Sequence, residues 1–87
     1  MLSRKLPTNE EEWRSYMTRL IKTHLAAAGM SYADLAKELE RMGVPTDNKL
    51  ISSKLRIGGF SAMFLIQALV AMRVEQIELP LRALEHE

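Results

Sequence analysis

Cysteine is absent from the 87 residues, which excludes a disulfide framework and the thiolate ligands of most structural zinc sites, and suits a reducing compartment. Histidine is scarce. His24 and His86 stand far apart in the chain, and His24 has no second His, Cys or paired carboxylates near it of the kind a metal site needs. No metal and no cofactor is expected. Charge of one sign is not in excess either: the formal net charge of +1 taken alone argues little for non-specific nucleic-acid binding.

Long hydrophobic runs are also missing. The longest nearly apolar stretch, residues 62–72, interrupted by Gln67, is well short of the roughly 20 residues that span a bilayer. It reads as a buried helix, and no membrane partner is expected. Arg4 and Lys5 are not followed by the apolar region of a secretory signal, so a cytoplasmic location is expected. Glu10, Glu11 and Glu12 form an acidic run, but it falls in the first turn of a helix, where negative charge complements the macrodipole. No acid, base or nucleophile is marked beside it, and the chain is expected not to be an enzyme.

What is present is apolar material, 47% of the chain, enough for one core in one domain. The expected fold is all-α, a four- to five-helix bundle with a helix-turn-helix core. Residues 1–7 read as a flexible basic arm, 8–72 as the helical domain and 73–87 as a tail or dimerisation segment. Thr8 and Glu11 form a capping-box pattern that starts the first helix. Trp13, Tyr16, Met17, Leu20, Ile21, His24, Leu25 and Ala28 then follow at helical spacing, opposite Arg14, Ser15, Thr18, Arg19 and Lys22. Trp13, Tyr16 and Tyr32 are read as core aromatics, His24 as a packed or edge histidine, and the methionines as core filler. Gly29 stops the helix.

Ser31 and Asp34 form a second box, and Tyr32, Leu35, Ala36, Leu39 and Met42 make the inward stripe of a helix closed by Gly43. Thr46 is the expected cap of a third helix over residues 47–57, with Leu50, Ile51 and Leu55 inside. Gly58 and Gly59 break it, and Ser61 caps a fourth, apolar helix running to about Met72. Across residues 73–81, Ile77, Leu79 and Leu81 alternate with Glu78 and Pro80, the pattern of a short extended segment.

The 100° step between helical residues sets the face opposite Leu50, Ile51 and Leu55. Lys49, Ser52, Ser53 and Arg56 share it, with Asn48 at its amino-terminal edge and Lys54 toward the core side, where it would snorkel outward. Basic side chains reach guanine edges or phosphates, Asn reads adenine, and small serines let a helix approach closely. Ser61, after Gly58 and Gly59, adds a hydroxyl at a helix start suited to phosphate. Arg4 and Lys5 could form an arm on the minor groove or phosphates. The charge distribution agrees: residues 1–60 carry ten Lys/Arg against seven Asp/Glu, and residues 61–87 carry two against four.

The run Ser31-Tyr-Ala-Asp-Leu-Ala-Lys-Glu-Leu, then Gly43-Val44, Leu50-Ile-Ser-Ser-Lys-Leu and Gly58-Gly-Phe-Ser61 resembles the phage-repressor (Cro/CI-like) helix-turn-helix family over about residues 13–72. Nearly the whole chain is also similar to a small bacterial domain family of unassigned function. The first resemblance implies that Ala36 is the small residue where scaffold and recognition helices touch, and that Lys49, Ser52, Ser53 and Arg56 face double-stranded DNA.

Three functional readings follow. The first is a homodimeric, DNA-binding transcriptional regulator that places its third helix in the major groove and dimerises through the fourth helix and residues 73–81. The second is a helical protein-interaction module that binds no DNA. Low net charge favours it, as do Ile57, where repressor-like sequences often carry a basic residue, and a scaffold helix that runs on through Glu40, Arg41 and Met42. The third is a structural dimer whose role comes from a protein partner, as in antitoxin-like proteins.

Overall fold

The computed structural model describes residues 6–79. Four helices occur in them, α1 (Glu10–Ala28), α2 (Tyr32–Arg41), α3 (Asn48–Ile57) and α4 (Ala62–Ala71), and no strand. The fold is an all-helical bundle: α2 packs on α3 and α4, and α1 lies across α3 and α4. Ile21 and Leu25 of α1, Leu35, Ala36 and Leu39 of α2, Ile51 and Leu55 of α3, and Phe64, Ala68 and Leu69 of α4 form one buried cluster. The isoleucine, leucine and phenylalanine side chains among them each contribute about 1.5–3 kcal/mol on full burial. None of the helices is long and apolar enough to cross a membrane.

The helix starts are local decisions. Ser31 accepts the Asp34 N–H at 3.1 Å while the Asp34 carboxylate accepts the Ser31 N–H at 3.0 Å, the expected reciprocal box. Ser61 accepts the Phe64 N–H at 3.0 Å and starts α4, also as expected. Two starts differ from expectation by one residue. The cap of α1 is Asn9, whose side chain accepts the Glu12 N–H at 2.8 Å, and Glu12 rather than Glu11 reaches back to the Thr8 N–H and hydroxyl. The cap of α3 is Asp47, which accepts the Leu50 N–H at 2.9 Å, and the buried Thr46 hydroxyl has no hydrogen-bond partner among the described residues. Asn and Asp cap at least as well as Thr, and in both places the stronger capper stood next in line.

The helix ends share one device. At α1, α2 and α4 the N–H groups of two successive residues reach back to carbonyls of the last turn: Gly29 to Ala26 and Met30 to Leu25, Gly43 to Glu40 and Val44 to Leu39, Arg73 to Val70 and Val74 to Leu69. This is the Schellman arrangement, whose second residue drops an apolar side chain onto the helix it ends. Met30, Val44 and Val74 all pack against the core. At α4 the left-handed position falls on Arg73, φ +64°. Of the extended segment expected over residues 73–81, Arg73 forms this turn and residues 74–79 belong to no strand. As far as Leu79 the chain runs irregularly over α1, with Ile77 against the core and the Tyr16 hydroxyl donating to the Glu78 carbonyl at 3.3 Å. Pro80 and Leu81 lie outside the described residues.

The face of α1 that is buried is one edge of its apolar side. Ile21 and Leu25 are inside, but Trp13 is 43% exposed, edge-on to Tyr16, and Ala28 is exposed. Their line continues toward the amino terminus through Thr18 and Arg14, placed on the polar side by the sequence pattern and half-buried here against the end of α3. Met42, expected inside, is 41% exposed because α2 ends at Arg41 and Val44 fills the core instead. His24 is half-buried.

Candidate nucleic-acid interface

The third helix carries three cations, Lys49, Lys54 and Arg56, and no carboxylate within Asn48–Ile57. Ile51 and Leu55 turn inward, which leaves Asn48, Lys49, Ser52 and Arg56 exposed and Ser53 half-buried, on the face expected from the sequence. Neither Lys49 nor Arg56 is in an ion pair among the described residues, where the pairs are Arg14–Glu10 and Arg41–Glu38. Leu50 departs from expectation: it is 51% exposed, because one helix turn contacts α2 through a single line of residues and Ile51 and Leu55 occupy that line. Ile57 is exposed beside it.

Lys54 is exposed on the side of α3 that borders the core, and its ammonium stands 5.3 Å from the centre of the buried Phe64 ring. Such a cation–π contact holds it across the start of α4. Ser61 is exposed, with its hydroxyl engaged in capping. Arg4 and Lys5 lie outside the described residues.

Sequence reasoning missed a groove of about 630 Å³ between α1 and α3. Arg14, Arg19 and Lys22 of α1 and Arg56 of α3 line it, with Glu11 as its one carboxylate. Ser15, Thr18, Tyr32 and Ser52 add hydroxyls. Ser52 and Arg56 therefore belong both to the exposed face of α3 and to the groove. The DNA reading of the sequence requires a positive surface joining Lys49 and Arg56 with one or more of Arg14, Arg19, Lys22 and Arg4, and the spacing Arg14, Thr18, Lys22 is one line on a helix, but a groove between that line and α3 was not expected.

Arg14 is held in place. Its guanidinium donates to Glu10 at 2.7 Å, which keeps the Glu10 carboxyl below its ordinary range. It also lies close against Gly59, where a Cβ would come within 2.8 Å of Nη1. Gly58, at φ +83°, brings the end of α3 so close to α1 that a Cβ there would stand 2.9 Å from the Arg14 carbonyl oxygen. Among the described residues no His, Cys, Asp and Glu side chains gather into a group able to hold a metal ion.

A family model described as a domain of unknown function, DUF6471, matches residues 13–77, from α1 to the Ile77 contact. No curated protein and no solved structure matches the chain. The resemblance to a small domain family of unassigned function thus stands, and nothing in these comparisons supports the phage-repressor one.

Proposed function

The chain belongs to the DUF6471 family, and we propose that it is a non-catalytic, cytoplasmic DNA-binding protein, a homodimeric transcriptional regulator that inserts α3 into the major groove as the second helix of a helix-turn-helix. The observation that carries this reading is the outward face of α3: Asn48, Lys49, Ser52 and Arg56 exposed together on a helix without a carboxylate. Such a face reads base edges through Asn and Arg and meets phosphates through Lys and Ser. The groove cations extend the same positive surface onto α1.

Pairing two half-sites raises affinity and specificity beyond what one short helix supplies. The dimer contact in this reading is the outer stripe of α4, where Met63, Ile66 and Val70 are 68%, 59% and 55% exposed on a helix with no charged residue. Sedimentation of the protein beside Ile66→Lys tests it, with a dimer expected for the first and a monomer for the second.

The DNA reading is tested by selection from a pool of random duplexes across a salt series, beside the double variant Lys49→Ala, Arg56→Ala. Enrichment of a sequence, lost in the variant, is the expected result. Absence of binding even near 50 mM salt, where the electrostatic contribution is large, sinks it.

One observation favours a second reading, a protein-interaction module. Leu50 and Ile57 place two exposed apolar side chains on α3 itself, at 51% and 57% exposure, a surface suited to a helix or strand of another protein.

A further inference from the structure

We propose that the groove between α1 and α3 seats the phosphates of one DNA strand, with Arg19 and Lys22 as the contacting cations and Arg14 as a positioned wall; the proposal rests on the DNA reading of α3. Three features single out phosphate among ligands. The lining holds four cations against one carboxylate, a balance that attracts anions and leaves Glu11 as the one charged acceptor for a basic partner. Its lining is more polar than apolar: Leu55 is 2% exposed, and the hydrocarbon surface comes from Ile57 and the half-buried Tyr32 ring. An apolar peptide or ring would find little to bury against. Its hydroxyls are donors at short reach, Ser15, Ser52 and Tyr32, whereas Thr18 has already given its proton to the Leu55 carbonyl.

Placement adds direction. Ser52 and Arg56 border both the groove and the exposed face of α3, so a backbone leaving that face passes directly between the helices. Arg14 is tied down by Glu10 and by the Gly58–Gly59 backbone. Arg19 and Lys22 are exposed and in no ion pair among the described residues, which leaves both cations available for exchange with counterions on the DNA. Contacts of this kind carry no base information; they fix the angle and register at which a recognition helix enters the groove.

The test compares duplex binding by the full chain and by the double variant Arg19→Ala, Lys22→Ala across a salt series, with circular dichroism to show that both are equally helical. Loss of two phosphate contacts makes the slope of log K against log salt shallower by about 1.8. Affinity for the selected duplex and for a random one falls by the same factor, and the selected sequence is unchanged. The charge-preserving pair Arg19→Lys, Lys22→Arg retains the original slope. If the unaltered protein binds duplex and the alanine variant keeps its slope, the groove proposal alone is overturned. If the unaltered protein binds no duplex, the reading of α3 fails and the groove proposal falls with it.

Discussion

The Thr18 hydroxyl in α1 donates to the Leu55 carbonyl in α3 at 2.8 Å. Leu55 lies in the last turn of its helix, where carbonyls have no intrahelical donor, and a side chain from another helix supplies one. The bond ties α1 to the end of α3, beside the groove lined by Arg14, Arg19, Lys22 and Arg56. Thr18→Val keeps the shape and removes the donor, and chemical unfolding is expected to show a loss of about 1–2 kcal/mol, since a part-buried acceptor is left unmet.

Gly58 and Gly29 both sit at positive φ, but only Gly58 has neighbours: nothing lies within 4 Å of a Cβ at Gly29. Gly29→Ala isolates the backbone conformation and is expected to cost about 1 kcal/mol. Gly58→Ala adds a collision with the Arg14 backbone, and an overall loss of about 2–4 kcal/mol is expected. Equal midpoints for the two variants in urea would contradict the close approach of α3 to α1.

Arg73 holds the left-handed position of a Schellman turn that other helices of this chain give to glycine. Arg73→Gly relieves that conformation, and thermal unfolding is expected to show a gain of about 0.5–1 kcal/mol, reduced by the freedom glycine adds to the unfolded chain. A loss of stability would mean that the Arg73 side chain contributes more than its backbone costs.

Asp47 and Thr46 offer opposite expectations one residue apart. Asp47→Ala removes the cap of α3 and is expected to cost about 1 kcal/mol. Thr46→Val removes a buried hydroxyl that has no partner among the described residues, and a gain of about 1 kcal/mol is expected in the same unfolding assay.

Acid should loosen the helix starts. Arg14 lowers the Glu10 carboxyl below 4.5 through a hydrogen bond and its charge, the Thr8 N–H and hydroxyl lower Glu12 below the same value, and the Ser31 N–H and hydroxyl lower Asp34 below 3.8. A carboxyl whose folded value is depressed stabilises the fold fully above its unfolded value, and that stabilisation is lost as pH falls through the folded one. Melting temperature is therefore expected to hold steady down to about pH 5 and to fall below it. Glu12→Gln should melt lower than the unaltered protein at pH 6 and fall less between pH 5 and pH 3.

Much of the candidate site was legible in the chain. Lys49, Ser52, Ser53 and Arg56 share a face because periodicity alone places them opposite Ile51 and Leu55, and that face is where the structure has it. Leu50 was misplaced because an apolar pattern on a short helix marks a broad sector, whereas packing against α2 uses a narrow line. The groove was not legible, since it needs two helices that meet at Gly58, Gly59 and Thr18.

The amino-acid sequence by itself determined where helices begin and end to within a residue, and most of the core: the Ser31–Asp34 box, the Ser61 cap, the stop at Gly29, and Leu35, Leu39, Ile51 and Leu55 inside. These are signals carried within three or four neighbours, where hydrogen-bonding reach and helical period leave few alternatives. Only the tertiary structure decided which edge of α1 is buried, that Arg73 turns the chain back over α1, and that Arg14, Arg19 and Lys22 stand beside Arg56. Those outcomes depend on how closely one backbone can approach another, which no single stretch of sequence encodes.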